Sequence, residues 1–184
     1  QLFLNNLLDL EASKKQEIEA NIRAGINRLR TFQLTSGGLS YWPGANDASE
    51  WGTNYAGHFM IEAQNKGYTL PSGFLSKWIK YQKKMANSWA KKSSKNKYYS
   101  YRSDEIIQAY RLYTLALAKK PALGAMNRMK EIKDLSVSAK WRLAAAYVLA
   151  GKENVAENLV KNIATSVEEY RELSYSYGSS QRDQ

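Results

Sequence analysis

The chain has 184 residues, 43% of them hydrophobic and 24% charged, a balance that supports one packed domain and argues against general disorder. Lysine and arginine outnumber aspartate and glutamate by 27 to 17, giving a formal net charge of +10. The absence of cysteine excludes disulfide frameworks, thiolate zinc sites and a cysteine nucleophile within these residues, and no apolar run approaches the roughly 20 residues of a membrane span.

Taken in chain order, the apolar spacing is that of an all-α protein. Leu4, Leu7 and Leu8 fall at helical intervals, and Ile18, Ile22, Ile26, Leu29 and Phe32 define the stripe of a second helix, with Ser13 and Gln16 spaced as a capping box. The run Leu34-Thr35-Ser36-Gly37-Gly38-Leu39-Ser40-Tyr41-Trp42-Pro43-Gly44 breaks that period. Paired glycines permit positive φ, so it reads as a shaped turn carrying large aromatics. A third helix is expected from about Thr53 through Ala63, stopped by Asn65-Lys66-Gly67. A fourth follows Pro71-Ser72, with Phe74, Leu75, Trp78, Ile79 and Gln82 near one face. Residues 87–100 are polar and lysine-rich and read as a solvated connection within a single helical domain over 1–184. Further helices are expected over 104–119, 123–132, 137–150 and 154–170, and no strand alternation stands out.

Three of the helices resemble one another, in the segments 55–63, 110–118 and 142–150. Each is followed by a glycine or basic turn and a second amphipathic helix. Repeated helical hairpins of this kind suggest a solenoid or a closed ring. Because Gln1 is not an initiating residue and the apolar period begins at once, the sequence reads as a piece of something longer.

The excess charge is confined to one stretch. Between Glu62 and Asp104 there is no acidic residue, while Lys66, Lys77, Lys80, Lys83, Lys84, Lys91, Lys92, Lys95, Lys97 and Arg102 stand there, so the remainder balances. Interleaving with Trp78, Tyr81, Trp89, Tyr98, Tyr99 and Tyr101 is a pattern that single-stranded nucleic acid would accept. No nucleic-acid motif accompanies it, and the preferred reading gives Trp78 and Tyr81 to the core and the lysines to a solvated face. The catalytic inventory is thin. His58 is the sole histidine and reads as a structural, partly buried residue. Asp104 and Glu105 are adjacent and so point to different helical faces, a poor arrangement for paired-carboxylate chemistry. No nucleophile elbow or phosphate-cradling loop occurs. The expectation is therefore no catalytic residue, no metal site and no cofactor.

The order of motifs carries a resemblance. Gln33-x-x-x-Gly37-Gly38-x-x-x-Trp42, then Trp51-Gly52-Thr53-Asn54-Tyr55-Ala56, then Gly67-Tyr68-Thr69-Leu70-Pro71, and finally Tyr177-Gly178-Ser179-Ser180-Gln181-Arg182-Asp183 resemble, in this sequence, the thioester-domain region of bacterial α2-macroglobulins. The resemblance spans nearly the whole chain. It implies an α/α toroid of the terpenoid cyclase and prenyltransferase type, here incomplete and continuing beyond Gln184, with Trp42 and Trp51 as packing anchors. It also implies a part in an endopeptidase inhibitor that traps proteases, periplasmic or at the cell envelope, whose partners are other domains of the same chain and the target proteases. In that family a Cys-containing thioester motif normally precedes the segment resembling Leu2–Leu10. No cysteine is present here, so this piece is expected to be non-catalytic. It is further expected to bind no nucleic acid and to make no membrane contact. Other readings are a helical-repeat scaffold that binds a protein, and a toroid enzyme, for which the Asp-rich or zinc-binding motifs are missing.

Overall fold

The computed structural model describes residues 2–91 and 101–163. Among them it contains eight α-helices: α1 (Leu4–Leu7), α2 (Ala12–Arg30), α3 (Glu50–Asn65), α4 (Phe74–Ser88), α5 (Tyr101–Leu117), α6 (Leu123–Lys130), α7 (Val137–Leu149) and α8 (Glu153–Val160). The only β pairing among these residues is two isolated antiparallel bridges, Gln33 with Leu39 and Ser40 with Ala48, both in the glycine-rich loop. The all-α expectation holds. Helices α3, α5 and α7 lie side by side; α4 packs on α3 and α5, α6 on α4 and α7, and α8 on α7. The pairs α3/α4 and α7/α8 pack as the repeated hairpins anticipated from the sequence, whereas α6 follows α5 in the chain but packs on α4 and α7.

Local chemistry explains the element ends. Helices α3, α5 and α7 all finish in the same Schellman geometry. At α3 the Tyr68 amide donates to Ala63 O at 3.0 Å and the Gly67 amide to Gln64 O at 2.9 Å; at α7 Lys152 and Gly151 donate to Tyr147 and Val148 at 2.9 Å. Gly67 and Gly151 take φ of 89° and 68°, a region open to glycine at little cost. At α5 the same role falls to Lys119, which holds φ of 57° as a non-glycine residue while its amide and that of Lys120 close on Ala116 and Leu115 at 2.9 Å.

Two sequence-based expectations need correction here. The Ser13–Gln16 capping box does not form: α2 begins at Ala12 after Glu11, Ser13 already lies in its first turn, and no side chain caps this end. Helix α3 begins three residues before Thr53, because Ser49 is the N-cap and accepts from the Gly52 amide at 3.1 Å.

Core positions follow the helical period. Ile18, Ile22 and Ile26 of α2 are buried, and Phe74, Trp78, Gln82 and Ala86 of α4 recur every fourth residue on a buried stripe. Between α5 and α7 the buried residues include Ala109, Ala116, Ala139 and Ala146, whose small side chains let the two helices approach closely. Leu7 and Leu8 are exposed, whereas Leu2, Leu4 and Leu10 pack against the core, so α1 is attached by its ends.

Candidate functional site

The motif residues of the glycine-rich loop and the start of α3 turn out to build one joint. Gln33 donates through Nε2 to Phe74 O at 3.0 Å and to Gly37 O at 3.3 Å, tying the end of α2 to the start of α4. Gly37 has φ of 96°, and a Cβ there would sit 2.2 Å from the Lys77 carbonyl oxygen. Thr53 Oγ1 accepts from the Leu39 amide at 2.9 Å and donates to Leu39 O at 3.2 Å. Trp78 Nε1 donates to Thr53 O at 2.8 Å, and its indole lies where a Cβ on Gly57 would stand, 2.1 Å away. The glycines are therefore contact surfaces for α4. Trp42 does not anchor this joint: it is 68% exposed and lies edge-on to Tyr41 at 5.0 Å, because Leu39 and Ser40 are buried while the chain from Tyr41 onward turns out. Trp51 is 49% exposed and tilts against Tyr110 at 5.4 Å, again at the surface of the described residues.

A buried polar network joins α3, α4 and α5. Arg111 donates through Nε to Gln82 Oε1 at 3.1 Å and through Nη1 to Gln108 Oε1 at 2.6 Å, and its Nη2 faces Glu50 Oε1 at 3.4 Å. Gln82 in turn donates to Asn54 Oδ1, and Asn54 Nδ2 donates to Ile107 O at 3.1 Å. Gln108 Nε2 reaches Ala86 O at 3.1 Å. Burial pushes the Arg111 guanidinium below its ordinary range, opposed by Glu50. Sequence reasoning missed this cluster, although Gln82 on an apolar stripe was a signal for it.

The basic stretch divides. Trp78 is fully buried, as expected, whereas Tyr81 is only half-buried, against Gly38. Lys77, Lys80 and Lys84 lie on the exposed face of α4 and form no ion pair among the described residues. Lys91 is different, since its Nζ meets Glu105 Oε1 and Asp134 Oδ1, each at 2.8 Å. Burial works against its charge, but the two carboxylates outweigh it and raise its pKa. Glu105 is buried and its Oε2 accepts from the Ser136 amide at 3.1 Å, so this carboxylate joins α5 to the start of α7. Lys92, Lys95, Lys97, Tyr98 and Tyr99 lie outside the described residues, as do most of the 87–100 connection and the segment Tyr177–Asp183.

His58 sits at the centre of an aromatic groove floored by α3, α5 and α7. Its Nδ1 is 2.9 Å from Tyr110 Oη and its Nε2 is 3.8 Å from Glu62 Oε1. Its ring is edge-on to both Tyr110 and Tyr113, at 5.7 and 5.6 Å. Burial lowers its pKa below 6.5, with Glu62 opposing and Arg142 adding to the decrease. Burial also pushes the Tyr110 phenol up to about 12. Arg142 of α7 stacks over the Tyr110 ring at 4.8 Å, and Trp51, Tyr55 and Trp141 form the walls of a groove of about 640 Å³. No group of acidic, histidine or cysteine residues that could hold a metal ion occurs among the described residues, and no described helix is long and apolar enough to cross a membrane. The arrangement offers stacking surfaces and a guanidinium to whatever packs against it.

Fold and groove together define, among the described residues, an all-helical arrangement with an open aromatic face. No family model matches it. It is similar to the α2-macroglobulin of Escherichia coli (strain K12), 24% identical over 131 residues, a match that takes in 67% of this chain and 8% of that protein. Among solved structures, native Escherichia coli α2-macroglobulin spanning domain MG7 to the C-terminus matches with a TM-score of 0.69 at 22% identity, over 84% of this chain and 24% of that one. Salmonella α2-macroglobulin reacted with methylamine matches with a TM-score of 0.70 at 22% identity, over 84% of this chain and 10% of that one. The resemblance to bacterial α2-macroglobulins read from the motifs thus holds in sequence and in fold, and this chain spans a small part of those proteins.

Proposed function

We propose that these residues belong to the thioester-containing domain of a bacterial α2-macroglobulin-like endopeptidase inhibitor, in which they form part of an α/α toroid and perform no chemistry themselves. The observation that carries this reading is the match of 84% of the chain to the α2-macroglobulin structure that runs from MG7 to the C-terminus. The arrangement of α3, α5 and α7 side by side, with α4 packed on α3 and α5 and α8 on α7, supports a ring of helical pairs. Similar proteins have been solved as trypsin-activated and elastase-activated forms, which suits a role in trapping proteases. The reading places the polypeptide in the periplasm or cell envelope, with its own neighbouring domains and captured proteases as partners.

The acyl transfer of such a trap needs an activated thioester protected from water. With no cysteine in the sequence, these 184 residues supply scaffold for it and not the thiol that a thioester needs. The test treats the polypeptide that contains this chain with trypsin. Expected is trypsin that still hydrolyses a small peptide substrate but no longer cleaves a large protein. Trypsin left fully active on the large protein would sink the trap reading. Isotopically labelled methylamine added to the 184-residue chain alone should not become covalently attached, and attachment would place the reactive acyl group within these residues.

A further inference from the structure

Helix α4 turns one wholly polar face to solvent. Phe74, Trp78, Gln82 and Ala86 bury its inner stripe, while Lys77, Lys80 and Lys84 are exposed on the opposite side, three and four residues apart and so in one row about 10 Å long. None of the three forms an ion pair among the described residues, and no acidic residue stands between Glu62 and Asp104 in the sequence to offset them. The glycine-rich loop lies along the flank of this row. Gly37 fits against the Lys77 carbonyl and Gly38 against the Tyr81 ring, and the same loop carries Tyr41 and Trp42, 65% and 68% exposed and edge-on to each other. Unpaired lysines beside exposed tryptophan and tyrosine are the side chains that settle where a membrane meets water.

We infer that the lysine row of α4, with Tyr41 and Trp42 beside it, rests on an anionic phospholipid surface. Three features of the face select this partner over an acidic protein or a nucleic acid. Its exposed residues, among them Ser76, Lys77, Lys80, Lys84 and Asn87, include no apolar side chain, whereas a stable protein interface has an apolar centre from which lysine is depleted. The face is the outer surface of a helix whose other sides pack on α3, α5 and α6, and such a convex ridge meets a plane, while a single nucleic-acid strand is tracked by a groove. Lysine also supplies point charges on long flexible stems, which suit the mobile phosphates of a bilayer better than fixed bidentate recognition. A surface contact of this kind needs no spanning helix. It revises the expectation of no membrane contact, because only the folded chain sets the aromatic loop beside the lysine row. It does not depend on the proposed function.

The test is sedimentation of the 184-residue chain with vesicles of phosphatidylcholine alone and of phosphatidylcholine with about one-third phosphatidylglycerol. Binding is expected to the anionic vesicles and not to the neutral ones, and is expected to disappear in about 1 M salt. Each lysine near such a surface is worth about fivefold, so replacing Lys77, Lys80 and Lys84 together with glutamine should weaken binding roughly hundredfold. The same replacement at Lys140, Lys152 and Lys161, on α7 and at the two ends of α8, removes equal charge and should leave binding within about threefold. Brominated acyl chains should quench the tryptophan fluorescence of the bound chain, and Trp42→Phe should remove that quenching. Should the α4 variant unfold, as read by circular dichroism, lipid composition, salt and the Trp42 variant still decide. No binding to anionic vesicles, equal binding to neutral ones, equal loss in the two triple variants, or quenching that survives Trp42→Phe would each overturn the inference. So would a single-stranded oligonucleotide or a polyglutamate peptide that binds the α4 lysines more tightly than the anionic vesicles do. Trapping without vesicle binding would refute this inference alone, and vesicle binding without trapping would refute the proposed function alone.

Discussion

At the residue scale, polar side chains that look unremarkable in the sequence hold the helices in register. Arg111 is the clearest case, because its two hydrogen bonds engage Gln82 of α4 and Gln108 of its own helix, and Gln82 passes the link to Asn54 of α3. Arg111→Met removes the donor and leaves two buried amide oxygens without partners, so it should cost roughly 3 kcal/mol, read as a lower denaturant midpoint at unchanged slope. Gly57 shows the converse dependence on absence of a side chain. Gly57→Ala drives a methyl into the Trp78 indole and should destabilise by about 2 kcal/mol, which chemical denaturation monitored by tryptophan fluorescence would reveal.

His58 adds a pH dependence with a definite sign. Glu62 faces it from α3, Tyr110 and Tyr113 from α5 and Arg142 from α7, and burial leads the lowering of its pKa. The unfolded chain therefore takes up the proton first as pH falls through 6.5. The contribution is fully present above that value and is lost progressively below it, until the folded histidine also protonates. Melting temperature should consequently fall between about pH 7 and pH 5 more steeply in the native chain than in His58→Gln. Parallel curves for the two proteins would remove His58 as the cause.

At the element scale, three helices use one stop signal with two residue types. Gly67 and Gly151 were readable as stops from the sequence, since glycine past a periodic run marks a left-handed cap. Lys119 was not, because lysine carries no such preference; it adopts φ of 57° only because the Pro121 turn and the α5 carbonyls of Leu115 and Ala116 hold it there. Relieving that strain by Lys119→Gly should stabilise the chain by about 1 kcal/mol, detectable as a rise in melting temperature of several degrees. No rise would show that Lys119 is compensated by contacts of its own side chain. Helix α4 illustrates the opposite case, in which an apolar stripe at fourfold spacing specified helix and buried face together.

At the scale of the whole molecule, α5 is the hub. It packs on α3, α4 and α7, while Glu105 at its start fixes both Lys91 after α4 and the amide of Ser136 before α7. Arg128 of α6 completes the inner bracing by donating to Asn87 O at 2.9 Å, at the end of α4. Backbone amides of α5 should accordingly be the slowest to exchange with solvent, and those of α1, whose Leu7 is exposed, among the fastest. Comparable rates in the two helices would show that the chain opens as one unit.

The sequence by itself determined the all-α class and the succession of helices, because those follow from apolar period and from turn residues such as Gly67 whose backbone conformation few residues tolerate. It also localised the excess charge between Glu62 and Asp104. Only the tertiary structure decided what the polar residues do. That Lys91 bridges two carboxylates, that Arg111 is buried among amides, that Trp42 and Trp51 face outward and that His58, Tyr110 and Arg142 share one groove all depend on contacts between residues distant in the chain. Helical periodicity says which face of a segment is buried. It carries no record of which face another helix will present to it, and pairwise charge and hydrogen-bond partners exist only once that meeting has taken place.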